Sequence, residues 1–241
     1  MTEILKHRIA ELERLLVRAA LEHAPATFAS SLSAEDMVIT DAILRHKLEI
    51  EIFTLDTERL HADTLNVIAA IHKRYGREVE VFRPDPAAVA EYVASFGRDA
   101  FYGSVELRKR CCHIRKVEPL ERALRGKEAW VTGQRRDQSV ARSELKVQEY
   151  DATRGMVKFN PLADWSEDNV WAYIRAFGVP YNALYDQGYR SIGCAPCTRP
   201  TVAGEDVRAG RWWWELAEAR ECGLHVEADG RLVRSTATSE A

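Results

Sequence analysis

Two cysteine pairs constrain this chain more than any other feature. Cys111 and Cys112 are adjacent, and Cys194 and Cys197 form the run Cys-Ala-Pro-Cys. Four thiolates of this kind suit either zinc or an iron–sulfur cluster. The adjacent pair bears on the choice. A single zinc ion takes ligands a few residues apart, so that each reaches a tetrahedral corner, and immediate neighbours are awkward around it. A larger cubane offers separate iron atoms to each sulfur. The spacing therefore favours a [4Fe–4S] cluster on Cys111, Cys112, Cys194 and Cys197, with zinc, or thiols that are merely small buried hydrophobes, as the alternatives. Arg110, Arg115 and Lys116 flank the first pair. Positive charge there would stabilise an anionic thiolate centre, unless these residues form only a solvated helix face. Lys116 lies four residues beyond Cys112, which on a regular helix puts both on one side.

The compartment supports a metal reading. The opening segment is charged and helical in period, with Ile4, Leu5, Ile9, Leu12, Leu15 and Leu16 on one side, and it lacks the unbroken apolar run of a secretory signal. No stretch approaches the ~18 apolar residues of a membrane span. A cytoplasmic location is expected, and there paired cysteines bind metal or catalyse more often than they crosslink. The net charge of −3 gives no global signal for nucleic acid or membrane. Any anion site must be a local cluster of Lys and Arg.

The periodicity alternates strands and helices. Helices are predicted over Ile4 to Glu22, Ala34 to His46, Thr57 to Tyr75, Ala87 to Phe96, Leu107 to Arg125 and from a Ser166 cap to Phe177. Strands are predicted over Ala26 to Ala29, Glu49 to Leu55, Glu78 to Phe82 and Ala129 to Gly133, with a hairpin over Val147 to Phe159. Strands separated by helices argue for an α/β fold, a mainly parallel sheet with helices on both faces. Ligands then lie beyond the carboxyl ends of the strands. The turns at Ser30–Ser33, Leu55–Thr57 and Gly133–Arg135 should gather there. Residues 1–200 read as one domain and 201–241 as a C-terminal segment, its polar end partly disordered.

Three segments could carry chemistry. Ser31, Ser33, Glu35 and Asp36 lie where a strand meets a helix, and free N–H groups at such a start bind anions. No Walker sequence follows, so a plain capped helix is the alternative. Gly133-Gln134-Arg135-Arg136-Asp137 follows another strand, and its guanidinium groups could clamp phosphate or sulfate. Arg142, Arg208 and Arg211 are further candidates, with plain surface charge as the alternative. Cys222, in Arg220-Glu221-Cys222-Gly223-Leu224-His225, is a candidate nucleophile because His225 and Arg220 would favour its thiolate. An idle surface thiol is the alternative.

Together these segments resemble the sulfonucleotide reductases, and specifically the cluster-bearing assimilatory reductases of adenosine 5′-phosphosulfate (APS). The matching residues are Ser31-Leu32-Ser33-Ala34-Glu35-Asp36, Thr54-Leu55-Asp56-Thr57, Cys111-Cys112 with Lys116, Val131 to Ser139 with Arg142, Asn160-Pro161-Leu162, Cys194-Ala195-Pro196-Cys197, Arg208, Arg211 and the Glu-Cys-Gly-Leu-His ending. The resemblance implies an adenine nucleotide alpha-hydrolase-like (Rossmann-like) fold with a mobile C-terminal tail. It implies that Ser31, Ser33, Glu35, Asp36, Leu55, Gly133, Arg135, Arg142, Arg208 and Arg211 bind substrate. Cys222, Lys116 and His225 would be catalytic. It further implies thioredoxin or a glutaredoxin-like dithiol as donor, and a homo-oligomer. The nearest rival is the same chemistry on the 3′-phosphorylated nucleotide, PAPS, or on both. An ATP-pyrophosphatase-like tRNA-thiolating enzyme and a zinc-stabilised binding module are more distant. The loop Gln138 to Arg142 is one residue shorter than the family's usual form.

Overall fold

Short apolar runs in this chain become strands because helices cover both of their faces. The computed structural model describes residues 1–139 and 142–215. Its strands are β1 (Ala26–Ser30), β2 (Ile50–Leu55), β3 (Glu80–Phe82), β4 (Ala129–Val131), β5 (Gln148–Asp151) and β6 (Met156–Phe159). Its α-helices are α1 (Glu3–Glu22), α2 (Ala34–Arg45), α3 (Ala62–Tyr75), α4 (Pro86–Phe96), α5 (Val105–Cys112), α6 (Glu118–Leu124) and α7 (Glu167–Phe177). The sheet order is β3-β2-β1-β4-β6-β5, parallel except for the β5–β6 hairpin. That is the expected α/β architecture.

Side chains alternate across the sheet as the pleat requires. Ala129 and Val131 of β4 join Phe28 and Phe159 in a core with α1, α2, α3 and α7. Trp130, between them, points the other way and packs with Phe53 and Met156 against Leu120, Ala123 and Leu124 of α6. On α1, Leu5, Ile9, Leu12 and Leu16 are buried as the period predicts, but Ile4 is 69% exposed. It sits one residue, about 100°, round the helix from Leu5. Ser166 caps α7 as expected, in a reciprocal pair with Asn169.

Two predicted helices differ, and both differences bear on the cysteines. The helix expected from Thr57 begins only at Ala62. Residues 57–61 instead reach across the molecule: Arg59 C=O accepts from Ala195 N–H at 2.7 Å, and Leu60 bridges Cys194. The helix expected over Leu107 to Arg125 is three pieces, α5, a π-helical stretch His113–Val117, and α6. Pro119 has no N–H to donate to the preceding turn, which favours a change of winding near it. The turn widens directly after Cys111-Cys112. Among the described residues no helix is long and apolar enough to cross a membrane.

From β1 the chain builds outward through β2 to β3, then returns to place β4 on the other side of β1. The crevice at such a reversal is where open α/β sheets bind ligands.

Candidate active site

The carboxyl ends of β1, β2 and β4 open into a cleft of about 230 Å³. The Ser-rich turn forms one wall. Leu32 has φ 61° and is fully buried. Bulky residues rarely adopt this left-handed conformation, and here it anchors Leu32 in the core while Ser31 and Ser33 line the cleft. Asp36 closes the turn from within, accepting from Ser31 N–H at 2.6 Å and Ser31 Oγ at 2.5 Å. Burial pushes the Asp36 carboxyl up to about 7, against the lowering effect of the Ser31 bonds. Gly133 abuts this carboxyl so closely that a Cβ there would collide with Asp36 Oδ1. Its lack of a side chain is what lets β4's end approach the turn.

Lys116, Leu55, Glu35, Arg142, Arg208 and Arg211 line the same cleft. Arg211 is buried and donates to Ile192 C=O at 3.3 Å. A Cβ on Gly193 would strike its guanidinium. Arg135 is the exception among the expected binding residues. It is buried outside the lining, and its Nε and Nη2 donate to Glu35 Oε1 at 3.0 and 2.9 Å. Its Nη1 donates to Asp137 and to Trp165 C=O, both at 3.2 Å. In this arrangement it holds Glu35 at the cleft rather than offering its own fork to an anion. Thr57 and Gln134, in turns expected at this edge, also line the cleft, as do Tyr185 and Arg190, which no motif singled out. Tyr185 is partly buried, and its hydroxyl accepts Ala34 N–H at 3.0 Å, engaging the first amide of α2. Burial raises its phenol well above the ordinary value.

The four described cysteines border a second, smaller cavity immediately beside the cleft. Cys111 and Cys112 end α5, and Cys194 and Cys197 flank a single 3-10 turn. The expected meeting of the two pairs is therefore present. Thr57 Oγ1 lies 3.2 Å from Cys194 Sγ, and Trp212 N–H donates to Cys197 C=O at 3.2 Å. Arg59, Arg108, Arg115 and Lys116 all border the cavity. Arg110 does not; it stacks 4.9 Å from the centre of the Phe96 ring. Burial and the neighbouring Cys194 push Cys197 up to about 12, and burial raises Cys111 as well. Among the described residues, no three His, Cys, Asp or Glu side chains converge closely enough to hold one metal ion.

Lys116 and Trp212 line both cavities. The π-helical winding takes Lys116 out of the regular register with Cys112, yet it still borders the thiols. Trp212 is 1% exposed, has φ 43°, and its indole Nε1 has no hydrogen-bond partner among the described residues. Cys222 and His225 lie outside the described residues, as does the expected C-terminal tail.

Fold and cleft together define an α/β protein of the adenine nucleotide alpha-hydrolase-like class. The chain belongs to the phosphoadenosine phosphosulfate reductase domain family, whose pattern matches residues 25–200. It is 57% identical over 226 residues to an adenosine 5′-phosphosulfate reductase of Burkholderia cepacia, covering 94% of this chain and 90% of the relative. Identity to the protein of that name from Allochromatium vinosum is 55%, covering 93% and 88%. The crystal structure of phosphoadenylyl-sulfate (PAPS) reductase from Candida auris in a phosphate complex superposes with TM-score 0.68 at 26% identity, covering 83% of this chain and 98% of that one. Candida glabrata FMN adenylyltransferase superposes with TM-score 0.57 at 16% identity, covering 90% and 74%, a likeness of fold.

Proposed function

We propose that this chain reduces adenosine 5′-phosphosulfate to sulfite and AMP in sulfate assimilation, with Cys222 as the nucleophile. The observation that carries the reading is the cleft's cationic end. Lys116, Arg142, Arg208 and Arg211 line the space that the strand ends and the Ser turn open. The family and the names of the relatives support the same reading.

In this reading the adenosine lies over the strand ends near Leu55 and Gly133, and the phosphosulfate points toward the Lys and Arg cluster. The Cys222 thiolate attacks the sulfate sulfur. The S–O bond to the phosphate breaks, AMP leaves with that electron pair, and Cys222 carries an S-sulfo group. The cationic side chains offset the charge that grows on the departing phosphate. A dithiol carrier such as thioredoxin then attacks Cys222 Sγ, expelling sulfite. Its second thiol resolves the mixed disulfide, so the carrier supplies both electrons. Splitting one reduction into two displacements is the use of a thiolate nucleophile.

The four cysteines fit a [4Fe–4S] cluster by the chemistry of the donor set. Four thiols face one cavity beside four cationic side chains, and positive charge there favours the anionic form in which thiolates bind iron. When bound, the cluster supplies a fixed charge distribution beside the sulfate subsite rather than the electrons. Iron and sulfide analysis of anaerobic protein, together with its colour, tests this. Colourless, zinc-loaded protein would overturn it.

The decisive experiment is mass analysis after incubation with APS and no reductant. A sulfite-sized addition on Cys222, absent in Cys222→Ser, is the expected result. Turnover by Cys222→Ser would overturn the assignment. Faster adduct formation with the 3′-phosphorylated nucleotide would reverse the choice of substrate.

A further inference from the structure

Glu215 is held against the cysteine cage by a buried ion pair. Arg108, fully buried, donates to it through two parallel bonds, Nε to Oε1 at 2.8 Å and Nη2 to Oε2 at 2.9 Å. Arg108 stands on α5 one turn before Cys112 and borders the thiol cavity. Its guanidinium lies 4.7 Å from the centre of the Trp212 ring, and that of Arg211 lies 4.5 Å from the same ring. Trp212 C=O in turn accepts Glu215 N–H at 2.9 Å. One ion pair thus ties together a cysteine-bearing helix, a tryptophan in a left-handed conformation and the start of the segment that contains Cys222.

A desolvated ion pair is a poor way to gain stability, since apolar residues of similar volume often do as well or better. Its fixed bidentate geometry is a good way to set a position. Backbone strain such as that at Trp212 persists only where the surroundings over-determine it. Cys222 follows Glu215 by seven residues. A fully extended chain of that length spans at most about 25 Å, so where Glu215 is held limits where the thiol can arrive.

We infer that Arg108 and Glu215 form a positioning clasp that fixes the root of the Cys222 segment against the cysteine cage, registering the nucleophile with the sulfate subsite. The inference rests on the reductase reading above. It makes the two residues positioning rather than catalytic, since neither is required to touch substrate.

The test compares wild type, Glu215→Gln and the apolar double variant Arg108→Met/Glu215→Leu, all prepared anaerobically with iron counted. AMP affinity and iron content should stay unchanged. The single-turnover rate of sulfo-adduct formation on Cys222 should fall by about tenfold or more, as a slightly misplaced reactant predicts. The double variant guards against misfolding caused by an unpaired buried charge. Unchanged adduct rates with iron retained would overturn the clasp. So would a rate loss matching the iron loss, because the pair would then only support the cage. Should wild type form no adduct at all, the reductase reading fails separately. The clasp is then decided by iodoacetamide alkylation of Cys222: AMP should protect Cys222 in wild type and much less in Glu215→Gln. Equal protection in both would refute it.

Discussion

Asp36 spends its carboxylate on its own loop. It takes up the amide and hydroxyl of Ser31, donors that an incoming anion could otherwise use. Its folded-state value of about 7 stands above the ordinary 3.8, so the folded chain holds this proton more tightly than the unfolded one. The stability tied to that proton is complete below about pH 4 and is lost as pH rises through about 7. Asp36→Asn keeps an acceptor for Ser31 without the charge. Urea unfolding at about pH 5 and about pH 8 should show wild type losing more stability than the variant, on the order of 1–4 kcal/mol more. Equal losses would mean the carboxyl is not buried protonated. Lys116 makes a second case. Because it borders both cavities, Lys116→Ala should keep its iron while adduct formation slows roughly a hundredfold, the scale of one lost electrostatic donor. Stopped-flow quench with mass detection would measure it, and an unimpaired rate would remove Lys116 from the site.

Elements whose ends carry chemical punctuation were legible in the sequence. Helix α7 starts at Ser166 and stops at Gly178 in the left-handed conformation, as a capping pair and a terminal glycine predict. Ser166→Ala should cost about 1 kcal/mol in chemical denaturation and leave turnover unchanged; a loss of activity would mean α7 communicates with the cleft. The elements that misled are those bent by partners distant in sequence. Residues 57–61 look helical because nothing local opposes it, and their bonds to Ala195 and Cys194 override that preference. The π-helical turn had one visible cue, Pro119, but the cue does not say whether a helix kinks, ends or widens.

At the scale of the molecule, alternating period gave the parallel sheet, and the cysteine pairs gave the cage. Which arginine serves which purpose was not legible, because charge alone does not say where a long side chain ends. Arg135 was expected to face an anion and holds Glu35 instead. Arg59 and Arg108 border the thiols and had no motif to announce them. The cage joins segments that the sheet does not join directly. Stripping iron from the proposed cluster with a chelator under anaerobic conditions should therefore lower the thermal midpoint by several degrees, as a loss of about 1–2 kcal/mol would, and restoring iron and sulfide should recover it. An unchanged midpoint would show that the hydrophobic cores alone hold the two segments.

Lys116 and Trp212 line both the cleft and the thiol cavity, so the two share a wall. A ligand seated on one face of a shared wall shields the other. Bound AMP should therefore slow the bleaching of the proposed cluster by dioxygen, and visible absorbance followed in air with and without the nucleotide would reveal that shelter.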